Sequence, residues 1–267
     1  MTNLSSLLDS YAFSMSDSEF AQYLNDSKIC GEVATSREVN IAHMHGFVEG
    51  NEHLEFGVKL TREWTYEDIF ELMARRVGTS ADPHHLFGQD TISAEECITQ
   101  LYRYTEIFGE AVRNRGKILF ATGHPAGLFP IYVELARVAR AFGAEVLTID
   151  EGDKFLDGDI RQILDVVMFE QYGNLQHTHF PGPMELALTQ LTERGITPDL
   201  IVADHGLAGV AASRGISTIG IADCNDPGLF VSAEQNQIKV AVPMDDNVTP
   251  HLYKPVTNFI VTHANLK

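Results

Sequence analysis

Cysteine is scarce in this 267-residue chain, and the three present, Cys30, Cys97 and Cys224, are odd in number and show no Cys-x-x-Cys spacing. Neither a disulfide framework nor a thiolate zinc site is expected. Positive charge is also short. Lys and Arg number 19 against 37 Asp and Glu, a formal charge of −18, and no basic cluster is longer than Arg75-Arg76. That balance disfavours nucleic acid or an anionic membrane as partner and points to a small molecule, with a homo-oligomer left open. Nothing approaches 18 uninterrupted apolar residues, and the amino terminus carries no basic region ahead of an apolar stretch. The expectation is a cytoplasmic protein. Gly-x-x-x-x-Gly-Lys-Ser/Thr, Gly-x-Gly-x-x-Gly, Gly-x-Ser-x-Gly and Asp-x-Asp-x-Thr are all missing. A P-loop and an α/β-hydrolase elbow are thereby excluded, and a dinucleotide site has little support.

What is present is apolar patterning. At 44% hydrophobic content the chain can bury a full core. Residues 1–115 read as mainly helical. Ser16-Asp17-Ser18-Glu19 has capping-box form ahead of a helix to about residue 25; Thr65 and Asp68 cap Tyr66 to Val77; Ser93 caps a long helix to about Asn114. Leu54, Phe56, Val58 and Leu60 alternate with Glu55, Gly57 and Lys59, which is the periodicity of a strand. Gly78 to Thr91 reads as a loop.

From Lys117 the pattern changes to strand and helix in alternation. Strands are expected at 117–122, 145–150, 165–170, 175–179, 199–203, 217–222 and 238–243, with helices at 128–142, 183–194, 207–214 and 227–236. Gly143, Gly195 and Gly215 stand where helices end. Apolar runs without alternation suit parallel strands covered on both faces. The sequence therefore predicts an open, mostly parallel α/β sheet over 116–267 with helices on both faces, and a helical amino-terminal lobe over 1–115.

In such sheets the chemistry lies outside the carboxyl ends of the strands, and four runs end in charged or imidazole residues. Gly123-His124-Pro125-Ala126-Gly127 follows the first, Asp204-His205-Gly206 another, Asp223-Cys224-Asn225-Asp226 the next, and Asp245-Asp246-Asn247 the last. His177 and His179 flank Thr178 and would share one face of a strand. Asp and His are ligands of divalent cations, so Asp204, Asp223, Asp226, His177 and His179 are candidate metal ligands. His124, Asp204 and His205 are candidate catalytic residues. Bland roles compete with each of these: Asp204 and Asp226 suit helix caps, Pro227 suits the first helical position, and Cys224 suits a buried thiol. Gly123 and Gly127 would let backbone N–H groups approach an anion at the start of the helix, and Asn225 would contact substrate.

Taken together, residues 31–43, 88–92, 121–127, 177–179, 203–209, 222–230 and 242–248 resemble a group of actinobacterial proteins of similar length named phosphatases. The resemblance spans roughly 30–260. It departs at Leu207, where Trp is usual, and the first 25 residues look additional. It implies a phosphatase, and it brings Arg37, Asn40, His43, Gln89 and Asp90 into the candidate site, with Arg37 closing over a phosphate. The combined expectation is a metal-assisted phosphomonoesterase using Mg²⁺ or Mn²⁺, or else Zn²⁺. The alternative is a metal-free α/β binding protein or isomerase for sugar phosphates or nucleotides.

Overall fold

The structure is a computed structural model that describes residues 4–266. In chain order its elements are α1 (Leu4–Asp9), α2 (Asp17–Asp26), β1 (Gly31–Ser36), α3 (Arg37–Val48), α4 (Glu52–Glu55), α5 (Tyr66–Arg76), β2 (Gln89–Ile92) and α6 (Ala94–Arg113). These are followed by β3 (Lys117–Ala121), α7 (Phe129–Ala141), β4 (Glu145–Val146), β5 (Lys154–Phe155), β6 (Gly158–Ile163), β7 (Val166–Gln171) and β8 (Asn174–Leu175). The last are α8 (Gly182–Glu193), β9 (Leu200–Asp204), α9 (His205–Ser213), β10 (Thr218–Ala222), α10 (Pro227–Glu234), β11 (Val240–Pro243) and α11 (Lys254–His263).

The caps act as the sequence requires. Ser16 with Glu19 and Thr65 with Asp68 form reciprocal capping boxes, and the Ser93 hydroxyl accepts the Glu96 N–H. Along α6, Ile98, Leu101, Thr105, Phe108 and Val112 form one buried stripe.

The main sheet runs in the order β11-β10-β9-β3-β7-β6-β5, with β4 against the start of β3 and β8 against β7. Pairing is parallel from β11 through β7 and antiparallel beyond it. Helices α6, α7 and α11 cover one face, and α8, α9 and α10 cover the other. This is the open α/β fold. After β3 the chain runs to the edge strand β5 on one side and builds back inward through β6 to β7, then crosses β3 to build β9, β10 and β11 on the other. The strand order therefore reverses between β3 and β9, which opens a crevice outside their carboxyl ends. Both strands are almost wholly buried, so the residues that follow them meet at this crevice.

Several local expectations are corrected. Residues 54–60 form no strand: the chain makes the short helix α4 and turns at Phe56 (φ 54°) and Gly57 (φ 67°). Leu54, Phe56 and Val58 are nonetheless buried, so the alternation recorded burial without pairing. The amino-terminal half instead holds an antiparallel ribbon of β1 and β2. The strand expected at 145–150 shrinks to β4, the one at 175–179 to β8, and β6 pairs antiparallel with β7. Among the described residues no helix is long and apolar enough to cross a membrane.

Candidate functional site

Asp204 ends β9 with no solvent exposure, and its Oδ1 accepts the Gly123 N–H at 2.7 Å and the His205 Nδ1–H at 2.7 Å. The first contact ties the β3 loop to the end of β9. The second fixes the neighbouring imidazole. His205 begins α9 with φ of 48°, an uncommon conformation for a side-chain-bearing residue, and this sharp turn throws its ring into the crevice. With Nδ1 protonated towards Asp204, Nε2 presents a lone pair. Around that nitrogen lie His177 Nε2 at 3.3 Å, Asp246 Oδ2 at 3.3 Å and Asp226 Oδ2 at 3.7 Å.

His179 uses the same device. Its Nδ1–H donates to the His53 carbonyl at 2.9 Å, leaving Nε2 3.0 Å from His177 Nε2. The segment 54–60, which forms no strand, thus lies directly after a backbone acceptor for the site. His177, Thr178 and His179 lie in irregular chain beyond β8, and the Thr178 N–H donates to the Gly123 carbonyl at 2.8 Å. That anchor, not a ladder, brings the two imidazoles together.

His177, His179 and His205 offer nitrogens within 4.8 Å of one another, and His205, Asp226 and Asp246 form a second such group. Because His205 Nε2 has one lone pair, both groups centre on one position. Asp246 Oδ2 is buried without a hydrogen-bond partner, a costly state for a carboxylate oxygen. An orphan anion facing imidazole lone pairs is what a divalent cation would satisfy, and the donor set fits one.

The electrostatics agree. Burial, helped by the neighbouring imidazoles, pushes His205 and His179 down to about 3; His177, the most exposed of the three, falls to about 4. All three are neutral near pH 7, which is the ligating form. Burial and nearby carboxylates push Asp226 and Asp246 well up, and burial with Asp245 raises Asp223 to about 7.

His124 lines the same cleft but is only 4% exposed, so it is not a surface side chain. The Gly127 N–H donates to its Nδ1 at 3.2 Å, leaving the proton on Nε2, 3.7 Å from Asp246 Oδ1. Burial and His177 lower its pKa. Asp223 also lines the cleft, but Oδ2 accepts the Thr35 hydroxyl and Oδ1 the Cys224 N–H. Its oxygens are engaged, and it stands outside both donor groups. Asn225 lines the cleft, and its carbonyl accepts His43 Nδ1–H at 2.8 Å. Asp226 stands at the N-cap position without a side-chain cap bond; its Oδ2 accepts the Asp223 N–H instead.

His43 also lines the cleft, whereas Arg37, Asn40, Gln89, Asp90, Gly123 and Gly127 do not. Arg37 is fully buried, with Nη1 on Asp90 at 2.8 Å and Nε on the His85 carbonyl. Asn40 donates to the same Asp90 oxygen, and Gln89 is an exposed residue paired with Ser36 in the ribbon. These three support the fold of the amino-terminal half. Gly123 and Gly127 spend their N–H groups on Asp204 and His124, so neither is free for an anion. Each is glycine because backbone comes close: an added Cβ would lie 2.4 Å from the Thr178 carbonyl and 1.7 Å from the Asp246 carbonyl, respectively. Asp204 sits behind His205 and not in the donor set. Asp246, which the sequence does not single out as a ligand candidate, belongs to the second donor group; its place after the last parallel strand was the available signal.

Fold and site together define an α/β protein whose switch-point crevice carries a His and Asp donor set that could hold a cation. A family profile described as Phosphatase matches residues 15–267. A curated Streptomyces coelicolor protein named as a phosphatase is 41% identical over 255 residues, covering 94% of this chain and 97% of the relative. The chain belongs to this phosphatase family. The match takes in residues 15–25 too, so most of the helix α2 segment is not an addition.

Proposed function

We propose that this protein is a metal-dependent phosphomonoesterase acting on a small phosphorylated metabolite in the cytoplasm. The family supports phosphatase chemistry, and the orphaned Asp246 carboxylate facing His205 supports the metal. His177, His179, His205, Asp226 and Asp246 would hold the ion. An imidazole-rich set favours Mn²⁺ or Zn²⁺ over Mg²⁺, which prefers oxygen ligands. The cation would supply charge neutralisation for a transferring phosphoryl group. Asp204 and the His53 carbonyl keep the His205 and His179 rings in the ligating tautomer. His124, anchored through Nδ1, would donate its Nε2 proton in a hydrogen bond to a phosphoryl or leaving-group oxygen.

The test is phosphate release from a panel of phosphomonoesters, with metal analysis of the same preparation. Activity should vanish on chelation and return with Mn²⁺ or Zn²⁺. Full activity in verified metal-free protein would leave the metal-free reading standing, and no release from any ester with all three metals would remove the phosphatase reading.

A further inference from the structure

The cleft is acidic where a phosphate monoester would have to enter. Asp223, Asp226, Asp245 and Asp246 all line it, and the two carboxylates of the donor set already balance the charge of one divalent ion. A dianionic substrate would meet a site with no net positive charge unless the wall supplied some. Among the lining residues Lys28 is the only Lys or Arg.

Lys28 lines the cleft, and three observations describe its setting there. Lys28 is exposed and makes no ion pair among the described residues, in a protein with 37 acidic side chains to pair with. Its backbone is left-handed, with φ of 64°, at the residue after the Ser27 C-cap of α2. The same left-handed residue follows the C-caps of α6, α10 and α11 at Arg115, Asn236 and Asn265, so this turn ends the helix and sets the direction in which the chain leaves it. The adjoining Ile29 carbonyl accepts the Asp245 N–H at 3.0 Å, so the turn bearing Lys28 is fastened to the loop bearing Asp246. This one backbone hydrogen bond holds the turn that carries Lys28 beside the loop that carries Asp246.

Resting on the phosphomonoesterase reading, we infer that Lys28 is a substrate-binding residue that neutralises the phosphate of the ester at the mouth of the cleft. The cleft, about 670 Å³, is larger than a phosphoryl group and leaves room for the organic part beside Val39, Val248 and Leu252. Lys28 therefore selects for the dianionic end and is indifferent to the remainder. It differs from the metal-holding residues in acting on binding alone.

The experiment compares Lys28→Gln and Lys28→Arg with the wild type in metal-loaded protein. Lys28→Gln is expected to raise KM, and the inhibition constant of inorganic phosphate, about 10- to 100-fold, the loss of one charge-assisted hydrogen bond. Turnover at saturation, metal content and melting temperature should stay near wild type, and Lys28→Arg should recover most of the affinity. Wild-type KM and phosphate inhibition in Lys28→Gln would overturn the inference while leaving the phosphatase reading intact. So would loss of metal in that variant, or equal losses in both variants. Should the wild type hydrolyse no ester, the function fails separately, and calorimetry with inorganic phosphate then decides Lys28. Weaker binding by Lys28→Gln than by wild type supports the assignment, and equal or absent binding overturns it.

Discussion

Asp204 accepts two hydrogen bonds through a single buried oxygen, and so sets the tautomer of His205 while tying the β3 loop to β9. Asn in its place keeps the shape and removes the charge that holds His205 Nδ1 protonated. Asp204→Asn is expected to lower metal affinity or turnover about 10- to 100-fold, measured by metal titration alongside phosphate release; unchanged affinity would show that His205 needs no partner. Arg37 gives the opposite expectation. It and Asp90 are a fully buried pair, and Asp90 accepts the Ser80 and Thr91 N–H groups as well as Arg37 and Asn40. Burial alone would raise the Asp90 carboxyl, but these hydrogen bonds outweigh it and hold it low. Arg37→Ala strands that charge and should cost about 3–5 kcal/mol in denaturant unfolding, while turnover of the folded fraction stays as in wild type. A fall in turnover without a fall in stability would return Arg37 to the site.

At the scale of elements, the cleft depends on how closely the start of α7 meets the loop after β11. Gly127→Ala would set a methyl group 1.7 Å from the Asp246 carbonyl, so one of the two must move. The expected cost is roughly 1–3 kcal/mol, with weakened metal binding, because Asp246 moves with its backbone. Circular dichroism melting and metal titration of the same variant check both halves. The cap of α5 is simpler. Asp68 is held down to about 2 by Arg62 and the Thr65 N–H, against an ordinary value of 3.8. A lowered carboxyl pKa stabilises the fold above the unfolded value and loses that effect as pH falls through the folded one. The stability gap between wild type and Asp68→Asn should therefore be full near neutral pH and close between about pH 4 and pH 2. A gap that persists at pH 2 would mean that the charge is not its origin.

For the whole molecule, buried imidazoles and carboxylates crowd one position, and a cation that binds only the folded chain stabilises it by mass action. At a metal concentration 100 times Kd the gain is about 2.7 kcal/mol, which for a chain of this size is a rise of roughly 5–10 °C in Tm. Calorimetric melts with chelator, then with Mn²⁺, Zn²⁺ and Mg²⁺ in turn, measure it. Identical melts in all four would remove the ion from the site.

The sequence alone determined the alternation of apolar strands with amphipathic helices after Lys117, the caps at Ser16, Thr65 and Ser93, and the concentration of Asp and His at strand ends. Those features are local, written in spacing and in side chains that bond to their own backbone within a turn. Only the tertiary structure decided which of the strand-end residues share a point. The order of β3 and β9 in the sheet brings His124 beside His205, and the single hydrogen bond from Thr178 to Gly123 brings in His177 and His179. Burial then separated residues that look alike in one dimension. Asp246 was left with a bare oxygen facing an imidazole, Asp204 was turned to the back of that imidazole, and Arg37 was closed inside the amino-terminal half on Asp90. The alternation at 54–60 misled for the same reason: burial on one face is visible in a sequence, but whether another backbone lies alongside to pair with it depends on chain far away.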